Sequence, residues 1–198
     1  MKHPTEKPSE QPMRFFTPEL YLRYNSTDDE VADQAHEAWE IALLEYQRHI
    51  ESVRSGLPPQ VRIISELCLH DAEVLGFDRQ LVPLSTSTDT PSANFLNELN
   101  LTSVAILSLK KDKIIHSLIY VLGDGIREYP TIKDWPFSPA RKHLLYDELD
   151  ILPEQDGMFH HRILFSNGSI VEIPFTAAIC NSVTLPETDD TSVSRRSA

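Results

Sequence analysis

The chain has 198 residues, with 30 acidic and 18 basic side chains and a formal net charge of −12. Such a balance disfavours nonspecific contact with nucleic acid or anionic membrane, because both require lysine and arginine to displace counterions. Hydrophobic residues make up 40% of the chain, enough for one packed core, and two cysteines far apart in sequence, Cys68 and Cys180, imply no disulfide framework and suit a reducing compartment.

Residues 1–12, with Pro4, Pro8 and Pro12 among charges, bury nothing and read as a disordered extension without the apolar segment of a secretion signal. Thr17 is placed to cap a short helix that starts at Pro18, carries Glu19 in its first turn and ends near Asn25. A second helix follows, with capping-box spacing at Ser26/Asp29 or Thr27/Glu30 and acids at its positive end. Val31, Ala35, Ala38, Trp39, Ala42, Tyr46, Ile50 and Val53 recur at helical spacing, which predicts about 28 residues of helix before Gly56 and Pro58-Pro59 stop it. A shorter helical piece spans about Pro59 to Leu67.

From about Ala72 the period switches to alternation, and a first strand begins. Ser85 to Asn94 is a polar loop, whereas Leu101 to Leu109 and Ile114 to Leu122 are β-rich runs around Lys110-Lys111-Asp112-Lys113, apolar on both faces as central strands are. The longest apolar run, Ile114 to Leu122, is far short of the roughly 20 residues that span a bilayer. Pro130 to Pro139, with Trp135 and Phe137, reads as a loop over a core edge.

His143 to Phe175 is a three-stranded meander whose second turn fixes its register. If Ser166 and Asn167 form a type I turn and Gly168 takes the left-handed position, Phe165 pairs with Ser169, Ile163 with Val171, His161 with Ile173 and Phe159 with Phe175. One face is then apolar, and the long helix is expected to lie across it. The expected fold is α+β, with N-terminal helices on a mostly antiparallel sheet of about six strands. Residues 13–180 form the domain, and 181–198 are read as an unfolded tail.

Chemistry-bearing residues are few. His70-Asp71, at a helix-to-strand junction, is the candidate for a catalytic or metal-binding pair; the structural alternative has Asp71 accepting backbone hydrogen bonds at the turn while His70 packs locally. His160 and His161, neighbours on a strand, point to opposite faces and are poorly placed to share an ion, so His161 is read as a satisfied core histidine. Glu45 and His49 have the spacing of a surface pair. Asp147, Glu148 and Asp150, with Glu154 and Asp156, read as the solvated face of an edge strand, or as a rim for a basic partner, with Asp147, Glu148 and Asp150 as its partner-binding candidates. No phosphate loop, nucleophile elbow, zinc-ligand spacing or dinucleotide fingerprint occurs, so no cofactor is expected.

Arg14-Phe15-Phe16-Thr17-Pro18-Glu19-Leu20-Tyr21, the long acidic helix, Leu69-His70-Asp71 and the Ile163-Leu164-Phe165-Ser166-Asn167-Gly168 hairpin together resemble a bacterial family of uncharacterised proteins, a domain of unknown function, over about residues 13 to 176. The His-Asp junction and Phe-Ser-x-Gly meander are also similar in architecture to small bacterial domains that include toxin-immunity proteins. The sequence therefore points to a cytoplasmic, noncatalytic acidic domain that binds a basic protein, immunity-like in character. The alternative is a metal-binding protein or metal-dependent hydrolase built on His70 and Asp71.

Overall fold

Gly168, at φ +77°, closes the turn that the sequence singles out. Phe165 N–H donates to Ser169 at 2.9 Å and Gly168 N–H to Phe165 at 2.8 Å. Only glycine adopts that backbone freely, and here it also makes room: a Cβ on Gly168 would stand 2.5 Å from the Trp135 ring. The register follows as expected, with Phe159 opposite Phe175, His161 opposite Ile173 and Ile163 opposite Val171.

The computed structural model describes residues 12–83, 101–137, 139–151 and 157–186. Helices α1 (Pro18–Tyr24), α2 (Asp29–Val53) and α3 (Pro59–Glu66) precede strands β1 (Ala72–Pro83), β2 (Leu101–Lys111), β3 (Ile114–Leu122), β4 (Arg127–Tyr129), β5 (His143–Ile151), β6 (Phe159–Phe165) and β7 (Ile170–Thr184). Thr17 caps α1 as expected, accepting from Leu20 N–H. The N-cap of α2 is Asp28, which accepts from Glu30 and Val31 N–H, and neither Ser26 nor Thr27 takes that role. Ser26 instead accepts from Asp28 N–H and shapes the approach. Helix α2 has 25 residues, about 37 Å at 1.5 Å per residue.

All strand pairs are antiparallel, in the order β3-β2-β1-β5-β6-β7-β4, and a further β3–β7 pairing closes six strands into a ring. Strand β7 makes this closure. Its first residues lie between β6 and β4, and from Phe175 onward the β4 edge is taken over by β3. Strand β4 is thus a short continuation of β3 after the Gly123–Ile126 break, a seventh strand that three residues of sequence do not announce. Asn181 to Thr184, expected to be tail, is strand: β3 offers an open edge, and Thr184 pairs with Ile114. The Ser85–Asn94 loop lies outside the described residues.

The apolar face of the hairpin is sheltered by a different element from the one expected. Phe159, Ile163, Val171 and Ile173 pack with Leu107, Leu109, Leu118 and Tyr120 of the ring and with Val61 and Ile64 of α3. The middle of α2 covers the opposite face, where Ala42 meets Leu145, Leu164, Ile170, Phe15 and Phe16, and only Ile50 and Val53 at its end reach the first cluster. Both faces of β6 are therefore buried, which a strict in-out alternation does not anticipate. The loop over the core edge behaves as read: Trp135 stacks on Tyr21 at 5.6 Å and its indole N–H donates to Ser166 at 3.0 Å.

Candidate functional site

His70 and Asp71 sit where the α3 connection enters β1. Leu69 is buried and anchors the turn, and Asp71 adopts φ +64°, a left-handed conformation that aspartate tolerates better than most residues. Its N–H donates to Leu144 at 2.8 Å. The His70 ring stacks on Tyr146 at 4.7 Å, its Nδ1–H donates to Leu145 at 2.5 Å, and Nε2 lies 3.1 Å from Asp71 Oδ2. Lys111 Nζ donates to the His70 carbonyl at 2.6 Å. The Asp71 carboxylate thus faces its neighbour histidine and accepts no backbone hydrogen bond from the described residues, unlike the turn reading. The residue matters locally through its backbone. No group of three or more histidine, cysteine, aspartate or glutamate side chains among the described residues is placed to hold a metal ion.

The acidic stretch of β5 is a correction. Because β5 runs between β1 and β6 beneath α2 and the N-terminal segment, its acids do not form a solvated edge. Glu148 is 1% exposed and accepts three backbone N–H groups, from Phe15 and Phe16 at 2.7 Å each and from Arg14 at 2.9 Å. Asp150 lies 3.0 Å from His49 Nε2 and 3.5 Å from Arg162. The His49 contact lacks hydrogen-bond alignment, and His49 turns to Asp150 where spacing alone suggested Glu45. Asp147 points the other way, to His161 at 2.9 Å. All three are held by internal groups, so none forms a free rim. Glu154 and Asp156 lie outside the described residues.

The two adjacent histidines do point to opposite faces. His161 is wholly buried and bridges Asp147 and Tyr120, whose hydroxyl lies 2.7 Å from Nδ1. Burial first, and then the Asp147 charge, push the Tyr120 hydroxyl well above its ordinary value, so it stays protonated and donates to Nδ1, while Nε2–H donates to Asp147. This Tyr-His-Asp chain is fully satisfied inside the ring. On the other face His160 pairs with Glu172, which also accepts from Tyr129 at 3.0 Å and lies 3.5 Å from Arg162. Burial alone would raise the Glu172 carboxyl, but the hydrogen bonds of His160 and Tyr129, with Arg162 alongside, bring it down to about 2.

Sequence reasoning missed Glu172, Tyr120 and a His116–Ser182 contact of 2.8 Å, since their partners come from other strands and no local spacing signals them. Burial first, then the Lys111 charge, lower the His116 pKa.

Two concave features are formed by described residues alone. One, about 390 Å³, opens at an end of the ring between Arg79, Leu81, Ser103, Leu122, Asp124 and Ile126. The other, about 410 Å³, lies between the N-terminal segment and α2, lined by Arg14, Phe15, Glu45, Arg48, His49 and Ser52. The exposed face of α2 differs from both. Its 25 residues carry seven carboxylates and a single arginine, and Ile41, Leu43 and Leu44 are 57%, 44% and 51% exposed. No helix among the described residues is long and apolar enough to cross a membrane.

Searches of family models, curated proteins and solved structures match nothing to this chain.

Proposed function

We propose that the protein is a noncatalytic binding domain whose long helix docks a basic protein segment bearing apolar side chains. The observation that carries this reading is the stripe Glu37, Glu40, Ile41, Leu44 on α2. Those positions follow the i, i+3, i+4, i+7 spacing of one helix face, and all four side chains are exposed. Exposed large aliphatics on a helix already packed on its other side mark a surface suited to a partner, and the surrounding carboxylates fix that partner's sign. The carboxylates of β5 and Glu172 are engaged inside the fold, whereas all seven carboxylates of α2 are exposed. The reading keeps the basic partner inferred from net charge but moves its contact from Asp147, Glu148 and Asp150 to α2.

The test is a pull-down at low salt from the source organism's lysate, run in parallel with wild type and with Ile41→Asp/Leu44→Asp. A stoichiometric basic partner that is lost in the variant and released by added salt supports the docking face. No such partner, or one retained by the variant and indifferent to salt, removes it.

A further inference from the structure

The cleft between the N-terminal segment and the second half of α2 brings two arginines together in an acidic chain, with Glu45 also in its lining, Glu148 bound to Arg14 N–H and Asp150 placed beside His49. Nine arginines fall among the described residues. Five pair with carboxylates: Arg54 with Glu66, Arg79 with Glu128, Arg127 with Glu172, Arg141 with Glu73, and Arg162 with Asp150 and Glu172. A sixth, Arg62, donates to the Arg54 and Leu57 carbonyls. In a protein with net charge −12, three guanidinium groups among the described residues remain with neither a carboxylate nor a carbonyl partner, those of Arg14, Arg23 and Arg48, and two of these three line the same cleft.

From this we propose that the cleft is a binding site for a phosphoryl group, held between Arg14 and Arg48. Arg14 is positioned for that task before any ligand arrives. Its backbone N–H is fixed by Glu148, and its guanidinium lies 4.8 Å over the Phe15 ring, which is itself packed on Tyr46 at 5.4 Å and on His49 at 5.6 Å. Arg48 approaches from the helix. Two guanidinium forks offer more N–H donors than a single carboxylate has lone pairs to accept, whereas the terminal oxygens of a phosphate monoester can engage both forks. The volume of about 410 Å³ falls within the range of small-molecule sites, leaving room for an organic substituent beside the phosphoryl group. Glu45 lines the cleft too and opposes an anion, so it weakens the site and offers a control of opposite sign.

The phosphoryl group belongs either to a free metabolite or to a modified side chain, and one set of titrations separates the two. Calorimetry at low ionic strength uses inorganic phosphate, free O-phosphoserine and a short phosphoserine peptide, with acetate for comparison. Saturable single-site binding of phosphate is expected. Arg14→Gln or Arg48→Gln should weaken it about tenfold or more, since each removes charge-assisted hydrogen bonds, and the double variant should abolish it. Glu45→Gln should tighten it a few-fold. All three side chains are exposed, so the variants should fold, and an unchanged melting temperature checks that they do. Tighter binding of the amino acid assigns the site to metabolites, and tighter binding of the peptide assigns it to a modified protein. Absence of saturation with every phosphoryl probe, binding unchanged in the double variant, equal affinity for acetate, or an equal loss in Arg23→Gln would each overturn the proposal. These are small-ligand titrations, so their failure leaves the helix-docking reading standing.

Discussion

Replacing Glu148 by alanine is the sharpest test of how the N-terminal segment is held. Its two carboxylate oxygens accept from Arg14, Phe15 and Phe16 N–H, and the side chain is 1% exposed, so alanine leaves three donors facing a dry gap. An unsatisfied buried donor costs about 1 to 3 kcal/mol, which sets an upper limit near 9 kcal/mol. The segment can escape that limit by detaching, at the cost of exposing Met13, Phe15 and Phe16, about 1.5 to 3 kcal/mol each. Water can also reach the part-buried Arg14 N–H. We therefore expect a loss of about 3 to 5 kcal/mol, the range found when one member of a buried charge-assisted set is removed. For a domain of this size that corresponds to a fall in Tm of roughly 6 to 20 °C. Glu148→Gln keeps one carbonyl acceptor and should lose only about 1 to 3 kcal/mol. Urea unfolding followed by far-ultraviolet circular dichroism gives both numbers, and trypsin cleavage after Arg14 reports detachment. A loss below about 1 kcal/mol for alanine, or equal losses for alanine and glutamine, would refute the capping role.

Three further outcomes follow from the geometry. Glu172 ionises at about 2 in the fold against an ordinary 4.5, so its stabilising contribution is complete above pH 4.5 and is lost as the pH falls from 4.5 towards 2; it amounts to roughly 3 kcal/mol, and unfolding measured against pH should show Glu172→Gln less stable at neutrality and flatter across that window. Gly168→Ala should cost about 2 kcal/mol or more, because φ +77° strains any side chain and its Cβ would meet the Trp135 ring, and adding Trp135→Ala should leave only the backbone part of the loss when the melts are compared as a cycle. Asp71→Gly should change stability by no more than about 1 kcal/mol while Asp71→Ile loses about 1 to 3 kcal/mol, since the site requires a left-handed backbone; equal melting temperatures for the two would contradict it.

The hairpin register was readable because Gly168 is a residue whose conformation the sequence nearly dictates, and a one-residue slip would have mixed faces on both strands. Helix α1 was readable for a similar reason, with cap, proline and acid in consecutive places. What lay beyond reach was the use of charge. Glu148 looks like an exposed acid on an alternating strand, and nothing within β5 reveals that its donors come from 132 to 134 positions earlier. The N-cap of α2 was ambiguous among adjacent cap-forming residues, and geometry selected Asp28. Asn181 to Thr184 has the composition of a tail, yet a vacant strand edge recruits it. The His70-Asp71 pair drew notice by residue type, whereas the cleft of Arg14 and Arg48 joins segments with no shared motif.

Strand β7 belongs to two walls at once, with β6 on one side along its first half and β3 on the other along its second. Inserting or deleting one residue near Thr176 would therefore shift the inward and outward side chains of the second half relative to the first, and the ring would no longer meet β3 in phase. The hairpin and the closing seam thus form a single cooperative unit, and amide exchange along Ile170–Thr184 is expected to slow as one block.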